Sequence, residues 1–254
     1  MGGGGSSGGS GNASNNGGVR SVKEANNFAE LEQYMNDNYN ISITDDVKKL
    51  NFNAVKTSLQ GVEDMMNDYP ELKDSITTIK TSKTGVMSCG GASINFNPKY
   101  YSGADADVRL NEMAKGQSNA KWWPANASSQ SLGVHETAHA LVWQMTKSHV
   151  DKMYSHLSPD ARERMTRMLW NDGTVAKQIV DTANKRAKKA DYGKGKSVRA
   201  LAESTSGYAN HYNKAGARAH EIIAESFADV RTNGNSAAEY SKEVYKAANE
   251  YYKA

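Results

Sequence analysis

Apolar residues recur at helical spacing through most of this chain, and the period shortens in one stretch. Over 21–38, Val22, Phe28, Leu31 and Tyr34 fall at or near one stripe, which predicts a helix. Thr44-Asp45-Asp46 reads as a helix start, and Val55, Leu59, Val62 and Met66 carry the stripe to a stop near Pro70. These two helices are expected to pack on each other. From Ser75 the pattern changes. Ile76, Thr77, Thr78, Ile79 and Thr81 are strand formers, and 86–88 follows. Beyond Gly90-Gly91, the segment 92–97 alternates Ile94 and Phe96 against polar neighbours, as a half-exposed strand does. Residues 100–127 read mostly as loop, with a helix over 104–113. Within that loop the adjacent aromatics of Lys121-Trp122-Trp123-Pro124 suit either a core or the wall of a cleft.

Helical patterning then resumes. Ser131-Leu132-Gly133-Val134 leads into a five-residue polar motif, and Ala140-Leu141-Val142-Trp143-Gln144-Met145 leads out. That is the profile of a buried helix. Ser158-Pro159-Asp160 opens a long helical stretch over 161–190, 217–232 is a helix ending at Gly234, and 236–252 is an amphipathic C-terminal helix. The order predicts an α+β domain, mostly helical, with a small mixed sheet of about three to four strands before the buried helix.

Composition narrows the picture. Residues 1–20 are nearly all Gly, Ser and Asn at their start and read as a flexible linker with nothing to bury. Such a linker leads us to expect something larger upstream. The remainder, 21–254, suits one domain: an N-terminal helical part (21–70), the sheet with the buried helix (75–145), and a second helical part (158–254). The net charge of +3 points to no particular partner, and Cys89 is the sole cysteine, so an intrachain disulfide and a Cys-based zinc site are both excluded. We find no charged-then-apolar leader and no apolar run of membrane-spanning length. Location is thus left between a virion-borne, a delivered and a cytoplasmic protein. Lys185, Arg186, Lys188 and Lys189 form a basic run. Without interleaved aromatics it reads as a solvated helix face rather than a nucleic-acid surface.

The polar motif is His135-Glu136-Thr137-Ala138-His139. Four residues make about one helical turn, so both imidazoles project from one face and can grip one metal ion. Glu136 then lies beside the open coordination position, where a carboxylate can take a proton from water. Chance produces this motif in on the order of 1% of chains with this histidine content. The apolar flanks strengthen it, because a charged Glu buried between two histidines is costly without a metal or a partner.

A catalytic zinc site needs a third protein ligand. The best segment is Glu221-Ile222-Ile223-Ala224-Glu225-Ser226-Phe227-Ala228-Asp229. On a helix Glu221, Ala224, Glu225 and Ala228 share one face. Carboxylates at i and i+4 repel unless a cation lies near, and the alanines allow close approach to the His135 helix. We assign Glu221 as the ligand and Glu225 as the acceptor behind a ligand imidazole. The competing register has Glu225 as ligand and Asp229 behind it.

An H-E-x-x-H followed by a distant helical Glu resembles the gluzincin arrangement of zinc metallopeptidases. The segment Glu221–Phe227 resembles part of the catalytic domain of anthrax lethal factor. It is also similar to zincin-like domains of phage head-morphogenesis (minor capsid) proteins and of polymorphic toxins. In these a Ser-x-Tyr-Ala element precedes the Glu helix, as Ser206-Gly207-Tyr208-Ala209 does here, and a Trp-Pro element precedes the metal helix, as Trp123-Pro124 does. The likeness covers roughly 75–229. It implies a zincin-like fold, a bound Zn2+, and a sheet edge that holds an extended peptide, with strand 92–97 as the pairing strand. It further implies His135, His139 and Glu221 as ligands, Glu136 as general base, and Tyr208 as donor to the oxyanion. The chain departs from the pattern in the long insertion between His139 and Glu221. Tyr208 also lies further from the Glu than in lethal factor, which makes Tyr212 a rival. The expected activity is a zinc metalloendopeptidase (a hydrolase) acting on protein or peptide, in a phage or effector setting. The alternative is a zincin-fold component of a phage particle that cuts nothing.

Overall fold

A computed structural model describes residues 19–254, Gly91 excepted. The linker expected over 1–20 lies outside the described residues but for its last two. Asn27 accepts the Glu30 N–H and starts α1 (Phe28–Tyr39), which stops at Asn40 in the left-handed region, φ 55°. The strand β1 (Ser42–Ile43) follows. Thr44-Asp45-Asp46 opens only the short 3-10 turn Val47–Lys49, not the long helix its composition predicts. Its donors and acceptors go to the sheet instead: the Thr44 N–H bonds the Ile79 carbonyl at 3.0 Å, and the Asp46 carboxylate takes the Thr81 N–H at 3.1 Å. The second helix, α2 (Phe52–Asp68), begins at Asn51, whose side chain accepts the Ala54 N–H.

Three more strands follow, β2 (Thr78–Thr81), β3 (Met87–Gly90) and β4 (Ser93–Phe96). The sheet order is β1-β2-β4-β3, with β2 parallel to both β1 and β4, and β3 antiparallel at the edge. This corrects the reading of 92–97 as a half-exposed pairing strand. β4 is interior and buried along its length. Its polar side chains are satisfied locally, Ser93 by the Gly90 carbonyl and Asn95 by the Ser88 carbonyl. The edge strands are β1 and β3, and β3 is the one that packs against the helix Ser129–Met153.

The rest is helical: α3 (Pro98–Tyr101), α4 (Ala106–Asn119), α5 (Ser129–Met153), α6 (Pro159–Asp172), α7 (Thr174–Ala187), α8 (Val198–Glu203), α9 (Ala215–Asn233) and α10 (Glu239–Lys253). The class is α+β, mostly helical with a small mixed sheet. α4 runs past the expected 104–113, so 100–127 is less loop than its composition implies. The long helix expected over 161–190 is two helices, because Gly173 takes φ +68°. There it caps α6, and a Cβ on it would meet the Gly216 Cα at 2.5 Å.

α5 carries the metal motif and is held on both sides, by α2 and by α9. Its contact with α2 is unusually close. An added Cβ on Gly133 would lie 1.9 Å from the Ser58 carbonyl oxygen, and one on Gly61 would lie 2.1 Å from that of Gln130. Both atoms are backbone and cannot swing away. Gly133→Ala should therefore destabilise the fold by at least about 2 kcal/mol. Gly116→Ala, on an open face of α4, should instead stabilise it by about 0.5–1 kcal/mol. Urea unfolding of both variants checks this, and a neutral Gly133→Ala would contradict the close crossing.

Candidate metal centre

One turn of α5 separates His135 from His139, and α9 lays Glu221 across them. The two Nε2 atoms are 3.2 Å apart. Glu221 Oε2 is 3.3 Å from the first and 3.7 Å from the second. Ligands about 2.0–2.1 Å from a tetrahedral zinc lie about 3.3–3.4 Å from one another. The three donor atoms thus have nearly the spacing of one face of that tetrahedron. This His-His-Glu group can hold a metal ion.

Behind it, Glu225 Oε1 lies 2.9 Å from His135 Nδ1 and accepts its proton. That bond turns Nε2 toward Glu221 and His139, where it can ligate once it has lost its proton. Glu225 is 3% exposed, far from a solvated surface carboxylate. Asp229, its partner in the competing register, is committed elsewhere. It accepts the Asn233 side-chain amide and the Ala238 N–H, tying α9 to α10. Among the described residues, Glu221 Oε2 is buried without a well-aligned donor.

The local field follows from these contacts. Burial opposes charge on His135, but hydrogen bonds to Glu221 and Glu225 outweigh it and hold its pKa well above the usual value. Burial pushes His139 down to about 3, so its imidazole is neutral. Burial would raise Glu221, yet the approach of the His135 imidazole, with His139 beside it, brings it below the ordinary carboxylate range. Glu136 is half-buried at the cleft wall, where it accepts the Cys89 N–H at 2.8 Å. Desolvation by the surrounding protein pushes it up to about 7.

Tyr208 sits on the 3-10 turn Tyr208–Asn210 ahead of α9. Its ring centroid is 6.0 Å from that of His135. Burial and the Glu221 charge hold its phenol well above the usual range, so it remains a donor. The Tyr212 hydroxyl is 3.5 Å from that of Tyr208, and its ring is 37% exposed. The Trp-Pro and Ser-x-Tyr-Ala elements meet through their backbones: Lys121 and Trp122 carbonyls accept the Gly207 and Tyr208 N–H groups at 2.8 and 3.0 Å. Trp122 is a cleft wall rather than core, its ring edge-on to those of Tyr208 and His211.

The His-His-Glu group, Glu136, Tyr208 and Tyr212 border a cleft of about 510 Å3, and Trp122 and Glu225 line a second pocket beside it. The cleft lining also includes residues that periodicity and motifs did not single out, Met87 and Cys89 of β3, Trp170 of α6, and His220. His220 adjoins Glu221 in the chain, which was the available signal. Nothing in the pattern of α6 marks Trp170. The basic run of α7 does not line the cleft. Arg186 pairs with Glu250, and Lys185, Lys188 and Lys189 are exposed at the helix C-terminus, where positive charge is favoured. Among the described residues no helix is long and apolar enough to cross a membrane. Comparisons with known protein families, curated proteins and solved structures give no match.

The Glu136 environment has a pH signature in the metal-free protein. Between about 4.5 and 7 the folded state keeps a proton that the unfolded chain has lost. The contribution of Glu136 to stability therefore falls as pH rises through that window. Gln does not ionise, so Glu136→Gln should gain stability over wild type as pH rises from 5 to 8. The gain is at most about 3 kcal/mol, less what cleft water screens. Unfolding of chelator-treated protein at both pH values measures it; a gap independent of pH would contradict the assigned environment.

Proposed function

We propose that this chain is a zinc-dependent endopeptidase with a gluzincin site on a zincin-like fold. The observation that carries the reading is the tetrahedral spacing of His135 Nε2, His139 Nε2 and Glu221 Oε2, with Glu136 alongside in an open cleft. Two imidazoles and a carboxylate without thiolate suit zinc at a catalytic site. Zinc held there supplies Lewis acidity to a water and to a substrate carbonyl.

The remaining work falls to the chain itself. An extended peptide adds to the free edge of β3 by main-chain pairing. The Cys89 N–H points away from β4 and is held by Glu136, so this edge faces the metal centre and the pairing uses the backbone groups beside that donor. Glu136 accepts a proton from the attacking water and returns it to the departing amine. The Tyr208 hydroxyl, kept protonated, donates to the carbonyl oxygen as charge develops on it. Glu225 fixes the tautomer of His135 throughout.

Glu136→Gln should abolish peptide cleavage while metal content stays at the wild-type level. Tyr208→Phe should lower kcat by about 10²–10³-fold, and Tyr212→Phe by only a few-fold. Cleavage assays on a peptide library with parallel metal analysis check all three. Metal loss in Glu136→Gln would mean that Glu136 is structural. Metal-loaded wild type that cuts no peptide would favour the non-catalytic, particle-assembly role.

A further inference from the structure

Beside His139 lies another pocket of about 310 Å3, walled by Gly90, Ala140, Trp143 and Trp170, with Ser75, Arg167 and Asn171 as its polar part. It adjoins the central cleft: Cys89, His139 and Trp170 border both. Its walls are two indoles packed edge-to-face, with centroids 5.7 Å apart and planes at 76°. The two rings touch and form one aromatic wall, to which Ala140, the residue after His139, adds no bulk. The one nearby cation is engaged, Arg167 with Glu163 at 2.6 Å. The volume is at the low end for ligand sites, about 300–1,000 Å3, and fits one large side chain.

The outer wall is fixed in advance. On its far side Trp170 meets His220, with ring centroids 4.0 Å apart. His220 Nε2 lies 3.0 Å from the Trp170 carbonyl oxygen and donates to it. A wall already ordered loses little freedom on binding. Trp170 comes from α6, within the insertion between His139 and Glu221 where the chain departs from the gluzincin pattern.

We propose that this pocket is a specificity subsite that takes one large apolar side chain, aromatic or leucine-like, of a peptide lying along β3. The proposal rests on the peptidase reading for the identity of its ligand. Side chains of an extended peptide alternate between its two faces, so a single position near the cleaved bond reaches the pocket under Cys89 and Gly90. His220 acts through Trp170 as a positioning residue.

The test is a random peptide library cut by zinc-loaded full-length protein, with the cleaved bonds read by mass spectrometry. Peptides retained by zinc-loaded Glu136→Gln are sequenced in parallel. We expect Phe, Trp, Leu or Met to be enriched at one position. Trp143→Ala should reduce that preference at least about tenfold with zinc content unchanged, and Trp143→Phe should restore most of it. Enrichment of charged or small residues there, or an apolar preference indifferent to Trp143→Ala, would overturn the subsite and leave the peptidase standing. Apolar enrichment among retained peptides, lost in a Glu136→Gln/Trp143→Ala double variant, without cleavage by wild type would do the reverse. No peptide cut or retained would overturn both.

Discussion

A carboxylate withdrawn from water needs a counter-charge or a full set of hydrogen bonds. The contact between α5 and α9 withdraws three, wholly or in part. His135 Nδ1 supplies one oxygen of Glu225, whose Oε2 stays without a donor, and the Cys89 N–H supplies Glu136. Glu221 Oε2 faces two imidazole nitrogens, at 3.3 and 3.7 Å, without a well-aligned donor. Protonating His135 relieves part of this in the metal-free protein, and His139 stays neutral. A divalent cation held there would relieve the rest, because it would turn the converging donor atoms from a cost into a coordination shell. The same groups that make the empty arrangement expensive make the loaded one specific.

Such a site works only if α5 does not shift. Gly61 and Gly133 let α2 and α5 touch backbone to backbone, and close-packed interiors transmit small displacements rather than absorbing them. β3 adds a third constraint through its hydrogen bond to Glu136. The helix that bears the two histidines is thus fixed from behind by a bare-backbone crossing, from the front by α9, and along its side by a sheet edge. The apolar residues flanking the motif serve this clamping as much as they serve burial.

Much of the site was legible in the chain itself because a helix has one period. A spacing of four residues places His135 over His139, and the same rule places Glu221 over Glu225, both deduced without coordinates. The Ala224 and Ala228 face foretold close approach, and α9 is buried beside α5. Sheet order was not legible. Alternation of Ile94 and Phe96 reports that a strand has two faces, and says nothing of whether it is interior or at an edge. β1, two residues long, is below what a pattern can register. Gly173 could be seen as a glycine but not as φ +68°, so two helices read as one. Trp170 and His220 meet only through the turn made there, which is why the aromatic wall beside His139 had no signal in either segment alone.

The most direct test of the metal centre is zinc binding by the purified protein, measured by equilibrium competition against a chelator for wild type and Glu221→Ala. The account predicts one zinc per chain in wild type. It also predicts a loss in Glu221→Ala beyond the 10–100-fold typical of residues that only orient a ligand, that is, more than about 100-fold. No zinc after reconstitution of wild type, or undiminished affinity in Glu221→Ala, would contradict it.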